Sequence, residues 1–185
     1  MELIDTEIPE VKIIQPRVFR DDRGYFMETW NYRTLHEAGL DVRFVQDNES
    51  YSTRGTLRGI HYQLKNPQGK LVRAVVGSVY DIAVDLRRDS PTFGKSVGTI
   101  LSEDNKRQLW VPEGFGHAYY TISQTAIFAY KCTDYYHADD SYELRWNDPE
   151  LNITWPIEDG QQVILSAKDR DAPTLQALLE AGALY

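Results

Sequence analysis

Short alternating runs dominate the chain. In Val79–Leu86, Tyr80, Ile82, Val84 and Leu86 alternate with Val79, Asp81, Ala83 and Asp85. That period of two predicts a strand with one apolar and one mixed face. Leu71–Val76 is a second run rich in β-branched residues, and Gly77-Ser78 between the two signals a turn or bulge. Ser96–Leu101, Gln108–Val111, Ala118–Ile122 and Ala126–Lys131 follow at short, regular spacing. Ser90-Pro91, Pro112-Glu113-Gly114 and Ser123-Gln124 punctuate them. Many short strands so punctuated predict an all-β fold, a β-sandwich or jelly roll. Helix is minor. Asn31–Ala38 is capped by Asn31 and stopped by Gly39; Asp171–Ala181 has a proline near its start, Leu175, Leu178 and Leu179 on one face, and Gly182 at its end. The N-terminal stretch Leu3–Ile14 is extended in character, either an edge strand of its own subunit or an addition to a neighbour's sheet. Asp139-Asp140-Ser141 reads as a loop. No repeat, low-complexity segment or linker interrupts the chain, so residues 1–185 are expected to form one domain, N-terminal strand and C-terminal helical tail included.

Charge and cysteine usage narrow the function classes. The 185 residues carry a formal net charge of -8, which disfavours general nucleic-acid binding while leaving room for a local basic pocket. Cys132 is the only cysteine, so neither a disulfide framework nor a Cys-based metal site exists within the chain, as suits a reducing cytosol. Met1–Glu10 is interrupted by Glu2, Asp5, Glu7 and Pro9 and does not read as a signal peptide. No apolar run approaches the roughly 18–20 residues that cross a bilayer. A cytoplasmic protein with no nucleic-acid or membrane partner is expected.

Candidate chemistry centres on two histidines. Gly55-Thr56-Leu57-Arg58-Gly59-Ile60-His61-Tyr62-Gln63 places His61 on a strand, and Pro112-Glu113-Gly114-Phe115-Gly116-His117 places His117 after a Gly-rich turn. A jelly roll that holds a metal uses His-x-His plus a carboxylate and a third His. Here Gln63 stands at the second-ligand position, and Gln68-Gly69-Lys70 puts a cation where a carboxylate would help. No metal is expected. Neutral imidazole suits reversible proton transfer near neutral pH, given a partner on its other ring nitrogen. Asp169 is a candidate partner if the C-terminal segment folds back; a core histidine bonded to a carbonyl is the alternative. Tyr130 is either a packed core tyrosine or a proton donor facing His61 across a pocket. Arg23, Arg58, Lys70, Arg73 and Lys168 are scattered cations, of which the arginines offer forked donors to phosphate. Gly55 and Gly59 make a regular pleat around Arg58 uncertain.

Taken together, DDRGYFMETW (Asp21–Trp30), FVQDNES (Phe44–Ser50), GTLRGIHYQ (Gly55–Gln63), QGKLVRAVVGSVYDIAVDLRRDSPTFG (Gln68–Gly94), LSEDNKRQLWVPEGFGH (Leu101–His117), YKCTDYY (Tyr130–Tyr136), RWNDP (Arg145–Pro149) and LSAKD (Leu165–Asp169) resemble the dTDP-4-dehydrorhamnose 3,5-epimerase family. The resemblance implies a cupin jelly roll without metal or redox cofactor, acting as a homodimer on a dTDP-linked 4-keto-6-deoxysugar. By the same resemblance His61 is the base, Asp169 its carboxylate, Tyr130 the acid on the opposite sugar face, and Lys70 the cation beside the 4-keto oxygen. Arg23, Glu28, Gln46, Asn48, Arg58, His117 and Lys168 match positions that line the nucleotide-sugar site. Three departures stand out. The segment between His61 and Lys70 is one residue short, Gly116-His117-Ala118 replaces a more usual Ala-His-Gly, and an acidic site position falls at Ser141, with Asp140 and Glu143 as neighbouring substitutes. Epimerisation at both C3 and C5 is the leading expectation. A single-site epimerase and a non-catalytic nucleotide-sugar-binding cupin are the alternatives.

Overall fold

The computed structural model describes residues 1–185. Two antiparallel sheets face one another. The six-stranded sheet runs, edge to edge, β1 (Glu2–Asp5), β2 (Lys12–Gln15), β10 (Gln108–Val111), β7 (Lys70–Val76), β12 (Thr125–Cys132) and β5 (Gln46–Thr53). The five-stranded sheet runs β13 (Ser141–Glu143), β6 (Leu57–Gln63), β11 (Phe115–Thr121), β8 (Ser78–Asp85) and β9 (Ser96–Ser102). Most neighbours in space are not neighbours in sequence, which is the wiring of a jelly roll. β3 (Val18–Asp21) and β4 (Gly24–Met27) form a separate hairpin. β1 is an edge strand of its own subunit's sheet, paired to β2 from Glu2↔Gln15 to Asp5↔Lys12. No helix is long and apolar enough to cross a membrane.

The core between the sheets takes Val72, Ala74, Ala126 and Phe128 from one and Val79, Ala83, Val97, Leu101 and Tyr119 from the other. β8 is buried on both faces. Its apolar residues Ile82 and Val84 face outward and are covered by Leu144, Leu151, Leu175, Leu178 and Leu184. Its mixed face points into the sandwich, where Asp81 is fully buried and bonded to His117. α1 (Tyr32–Glu37) matches the expected short helix: Asn31 Oδ1 accepts from the Thr34 N–H at 3.2 Å, and Gly39 follows at φ +95°.

Three expectations are corrected. The C-terminal helix does not begin at Asp171. Pro173 and the N-cap Thr174 start α3 at Leu175, and it runs to Glu180; a separate single turn, α2 (Ala167–Arg170), precedes it. The strand carrying His117 begins at Phe115 rather than Ala118. The turn is made by Gly114 at φ +88°, and Gly116 is a strand residue whose missing side chain lets Ile60 approach. The Asp139-Asp140-Ser141 loop is a short 3-10 turn, Ala138–Asp140, leading into β13.

Candidate active site

β6 delivers His61. Gly59 in that strand has φ +115°, and a Cβ there would stand 2.5 Å from the His117 carbonyl oxygen, so only glycine fits. Opposite it, the register of β11 slips between His117 and Tyr119. The pleat is therefore irregular where Gly59 suggested it would be. Arg58 leaves toward Ser52 Oγ at 3.0 Å and the Tyr51 carbonyl at 3.1 Å, while His61 lines a cavity.

Asp169 reaches His61 because the C-terminal segment is laced to β6. Ile164 bridges Thr56 in parallel; its carbonyl accepts from the Leu57 N–H at 3.0 Å and its own N–H donates to the Gly55 carbonyl at 2.8 Å. Ser166 then caps α2. Its Oγ accepts from the Asp169 N–H at 3.1 Å and donates to Asp169 Oδ2 at 2.7 Å, a capping arrangement that fixes the carboxylate. Oδ1 is left for His61 Nε2, 2.5 Å away. The Asp169 side chain is 3% exposed and the imidazole 40%. Burial opposes a charge on Asp169, but hydrogen bonds from His61, Ser166 and the Gly59 N–H outweigh it and hold the carboxyl below its ordinary range. An ionised Asp169 keeps the imidazole proton on Nε2, so Nδ1 is the basic atom.

Lys70 and Tyr130 open into the same cavity, about 220 Å³ in volume. Burial draws the Lys70 ammonium below its ordinary pKa, against an opposing pull from Cys132 and Asp81. Burial raises the Tyr130 phenol to about 12, so it keeps its proton at neutral pH. Lys168 joins the wall and lies 3.7 Å from Glu143. His61, Lys70, Tyr130 and Lys168 are thus brought together around one space, with Asp169 behind the imidazole.

The other expected residues are dispersed. His117 is the cross-strand neighbour of His61, but it is 8% exposed, with Nε2 2.9 Å from Asp81. Asn48 lines a recess of about 410 Å³ that shares Tyr130 with the His61 cavity. Gln46 Nε2 donates to Asn48 Oδ1 at 3.0 Å and the residue faces a third recess, beside Trp30 and Phe44. Arg58 lines a recess of about 320 Å³ that also includes Ser166 and Asp169. Arg23 sits on the β3–β4 hairpin, 89% exposed and 2.6 Å from Asp21; Glu28 accepts from Asn31 at 2.9 Å. Neither lines the His61 cavity.

The wall also takes Gln63, Gln68, Tyr136 and Ser166, which lie within the family-like blocks without an expected role, and Ser141 and Glu143 from the acidic position. Glu143 has a structural reason, being the partner of His61 in the β13–β6 register. Of the two carboxylates near Ser141, Glu143 is the one in the wall. Asp140 is buried elsewhere, accepting from the Lys65 and Asn66 N–H groups at 3.0 and 2.7 Å.

The geometry has close relatives. The family profile described as dTDP-4-dehydrorhamnose 3,5-epimerase matches residues 5–177. A protein of that name from Pseudomonas aeruginosa is 55% identical over 164 residues, 88% of this chain and 90% of its own length. A Legionella pneumophila dTDP-6-deoxy-D-glucose-3,5-epimerase, solved in complex with dTDP-4-keto-L-rhamnose, superposes with a TM-score of 0.94 at 50% identity, covering 99% of this chain and 96% of that one. A 3'-monoepimerase from Streptomyces bikiniensis, solved with dTDP-quinovose, superposes with a TM-score of 0.90 at 31% identity, covering 97% and 91%. This jelly-roll chain is an isomerase and belongs to the dTDP-4-dehydrorhamnose 3,5-epimerase family.

Proposed function

We propose that the chain epimerises dTDP-4-dehydro-6-deoxy-D-glucose at C3 and C5, giving dTDP-4-dehydro-L-rhamnose. The observation that carries this reading is a histidine–aspartate pair opening onto the same cavity as a half-buried lysine and a protonated tyrosine. A hydrogen beside a ketone becomes removable when the enolate oxygen meets a fixed cation in a shielded site. His61 Nδ1 takes the proton, and Asp169 stabilises the imidazolium. The Lys70 ammonium faces the developing oxygen charge. Tyr130 returns a proton from the opposite face at C5, and solvent water supplies the one returned at C3. C3 and C5 both flank C4, so one enolate-stabilising lysine serves both inversions. No step needs a redox cofactor. Lys168, Arg58 and Asn48 position the nucleotide-sugar and do no chemistry.

Arg23 and Glu28 belong to this reading through a second copy of the chain. They sit beside the exposed Phe19, Tyr25 and Phe26, outside the His61 cavity of their own subunit. A homodimer that presents the β3–β4 hairpin to its partner gives both a role at the nucleotide. Sedimentation as a monomer at assay concentration would remove this part. Cys132, buried and unbridged, suits the cytoplasm.

Turnover in heavy water tests the function. Deuterium at both C3 and C5 of the product is expected. Label at one carbon alone would make the protein a single-site epimerase, and no label would end the epimerase reading.

A further inference from the structure

Gln63 ends β6 two positions after His61 and is 4% exposed. Its Nε2 donates to the Asn66 carbonyl at 2.6 Å and to the Tyr135 carbonyl at 3.2 Å, and its Oε1 accepts from the His137 N–H at 2.7 Å. One amide thus grips the backbone on both sides of Tyr136. The Tyr136 N–H donates to Gln46 Oε1 at 2.9 Å. Tyr136 lies outside every helix and strand, yet its side chain helps wall the His61 cavity. With no sheet partners, this loop is held by side chains.

The far end of the same network is the C-terminal tail. α3 closes with the Gly182 N–H on the Leu179 carbonyl at 3.1 Å, the Ala183 N–H on the Leu178 carbonyl at 2.9 Å, and Gly182 at φ +64°. That is a Schellman stop, and it turns the chain back on itself. The reversal lays Ala183–Tyr185 against β6. The Tyr62 hydroxyl donates to the Ala183 carbonyl at 2.6 Å, and the Arg88 N–H donates to the Tyr185 carbonyl at 3.0 Å. The Tyr185 hydroxyl donates to the Gln63 carbonyl. These residues lie beyond 177, where the family match ends.

We infer that Gln63 and Tyr185 are positioning residues for the reaction: Gln63 holds the Tyr136 loop over the cavity, and Tyr185 holds Gln63. The inference rests on the epimerase reading of that cavity. The Gln63 amide binds the loop through both its nitrogen and its oxygen, so beyond its own place in the wall its effect on the substrate runs through Tyr136.

Two variants and two readouts test it. Gln63→Met keeps length and removes the amide; Tyr185→Phe removes one hydroxyl. Hydrogen exchange across residues 133–138 of the unliganded protein should speed up in both, more so in Gln63→Met. Gln63→Met should lower kcat/KM by about tenfold, the scale of a small displacement at a reacting centre. In a Tyr136→Ala background the same change should cost little further, because both act on one element. Unchanged exchange in the loop, or full multiplicative loss in the double variant, would overturn the relay. Should Gln63→Met not fold, Tyr185→Phe decides by the same two readouts. An inactive wild type would sink the epimerase reading instead, while loop exchange would still judge the relay.

Discussion

His61 Nε2 lies 2.5 Å from Asp169 Oδ1, although 108 positions separate the two residues. The pairing is built by backbone: the Thr56–Ile164 bridge brings the segment in, and Ser166 turns the carboxylate toward the imidazole. Asp169→Asn should leave the fold intact and disturb the tautomer, since an amide no longer favours the proton on Nε2. Turnover should drop by about 100-fold or more, within the range a positioned base contributes. A loss of less than about threefold, with His61 unmoved, would detach the aspartate from catalysis.

The alkaline limb of the pH–rate profile should belong to Lys70. Burial lowers its pKa, so the ammonium is lost at a pH below the value of about 10.4 for a free lysine, and activity falls as pH rises through that point. Tyr130, raised to about 12, is still protonated there. Residual turnover in Tyr130→Phe should keep the limb where it was. Lys70→Met should cost about 100-fold or more in kcat, as for loss of an oxyanion donor. A limb that disappears with Tyr130→Phe would reverse the assignment.

Gly59→Ala should be poorly tolerated for two reasons that act together. Its φ of +115° disfavours any side chain, and the added methyl would meet the His117 carbonyl and Ala118 within 2.5–2.8 Å. A loss of at least ~2 kcal/mol is expected in chemical denaturation. An unchanged midpoint would show that β6 and β11 can separate there without cost.

Asp85 is the clearest acid-sensitive support of the scaffold. Burial opposes its charge, but Arg87 at 2.8 Å and the Ser90 and Thr92 hydroxyls, both at 2.6 Å, hold its pKa at about 2. The folded value lies below the unfolded value of about 3.9, so the contribution is complete above that pH and is lost as pH falls toward 2. Asp85→Asn should lose ~2 kcal/mol at pH 7. The gap from wild type should shrink as pH drops from about 4 toward 2. A gap independent of pH would assign the loss to packing.

The strands were legible because alternation and glycine punctuation are local. Gln108–Val111 matches its expected span, and Gly77 turns β7 into β8 at φ +73°. Asn31 announced α1 because capping is local too. α3 starts later than its leucine spacing predicts, because Pro173 keeps the residue before it out of helical geometry. His61, Lys70, Tyr130 and Asp169 stand out in the sequence as candidates and take their roles from the family resemblance, but the cavity shared by His61, Lys70 and Tyr130 depends on which strands face each other. No local pattern encodes that. Tyr136 escaped for the same reason, entering through a loop held by Gln63 and Gln46, and the choice of Glu143 over Asp140 at the acidic position follows only from its pairing with His61 across sheet strands. His117 was expected to line the site, yet Asp81 draws it into the interior, because a buried carboxylate needs a donor.

The account stands on proton removal by His61. His61→Asn keeps a polar side chain of similar reach and removes the base, and its heavy-water exchange at C3 and C5 can be followed directly by NMR on the nucleotide-sugar. Exchange at both carbons should fall by about 100-fold or more relative to the unsubstituted protein. Exchange at the unsubstituted rate in a folded His61→Asn protein would contradict the central claim.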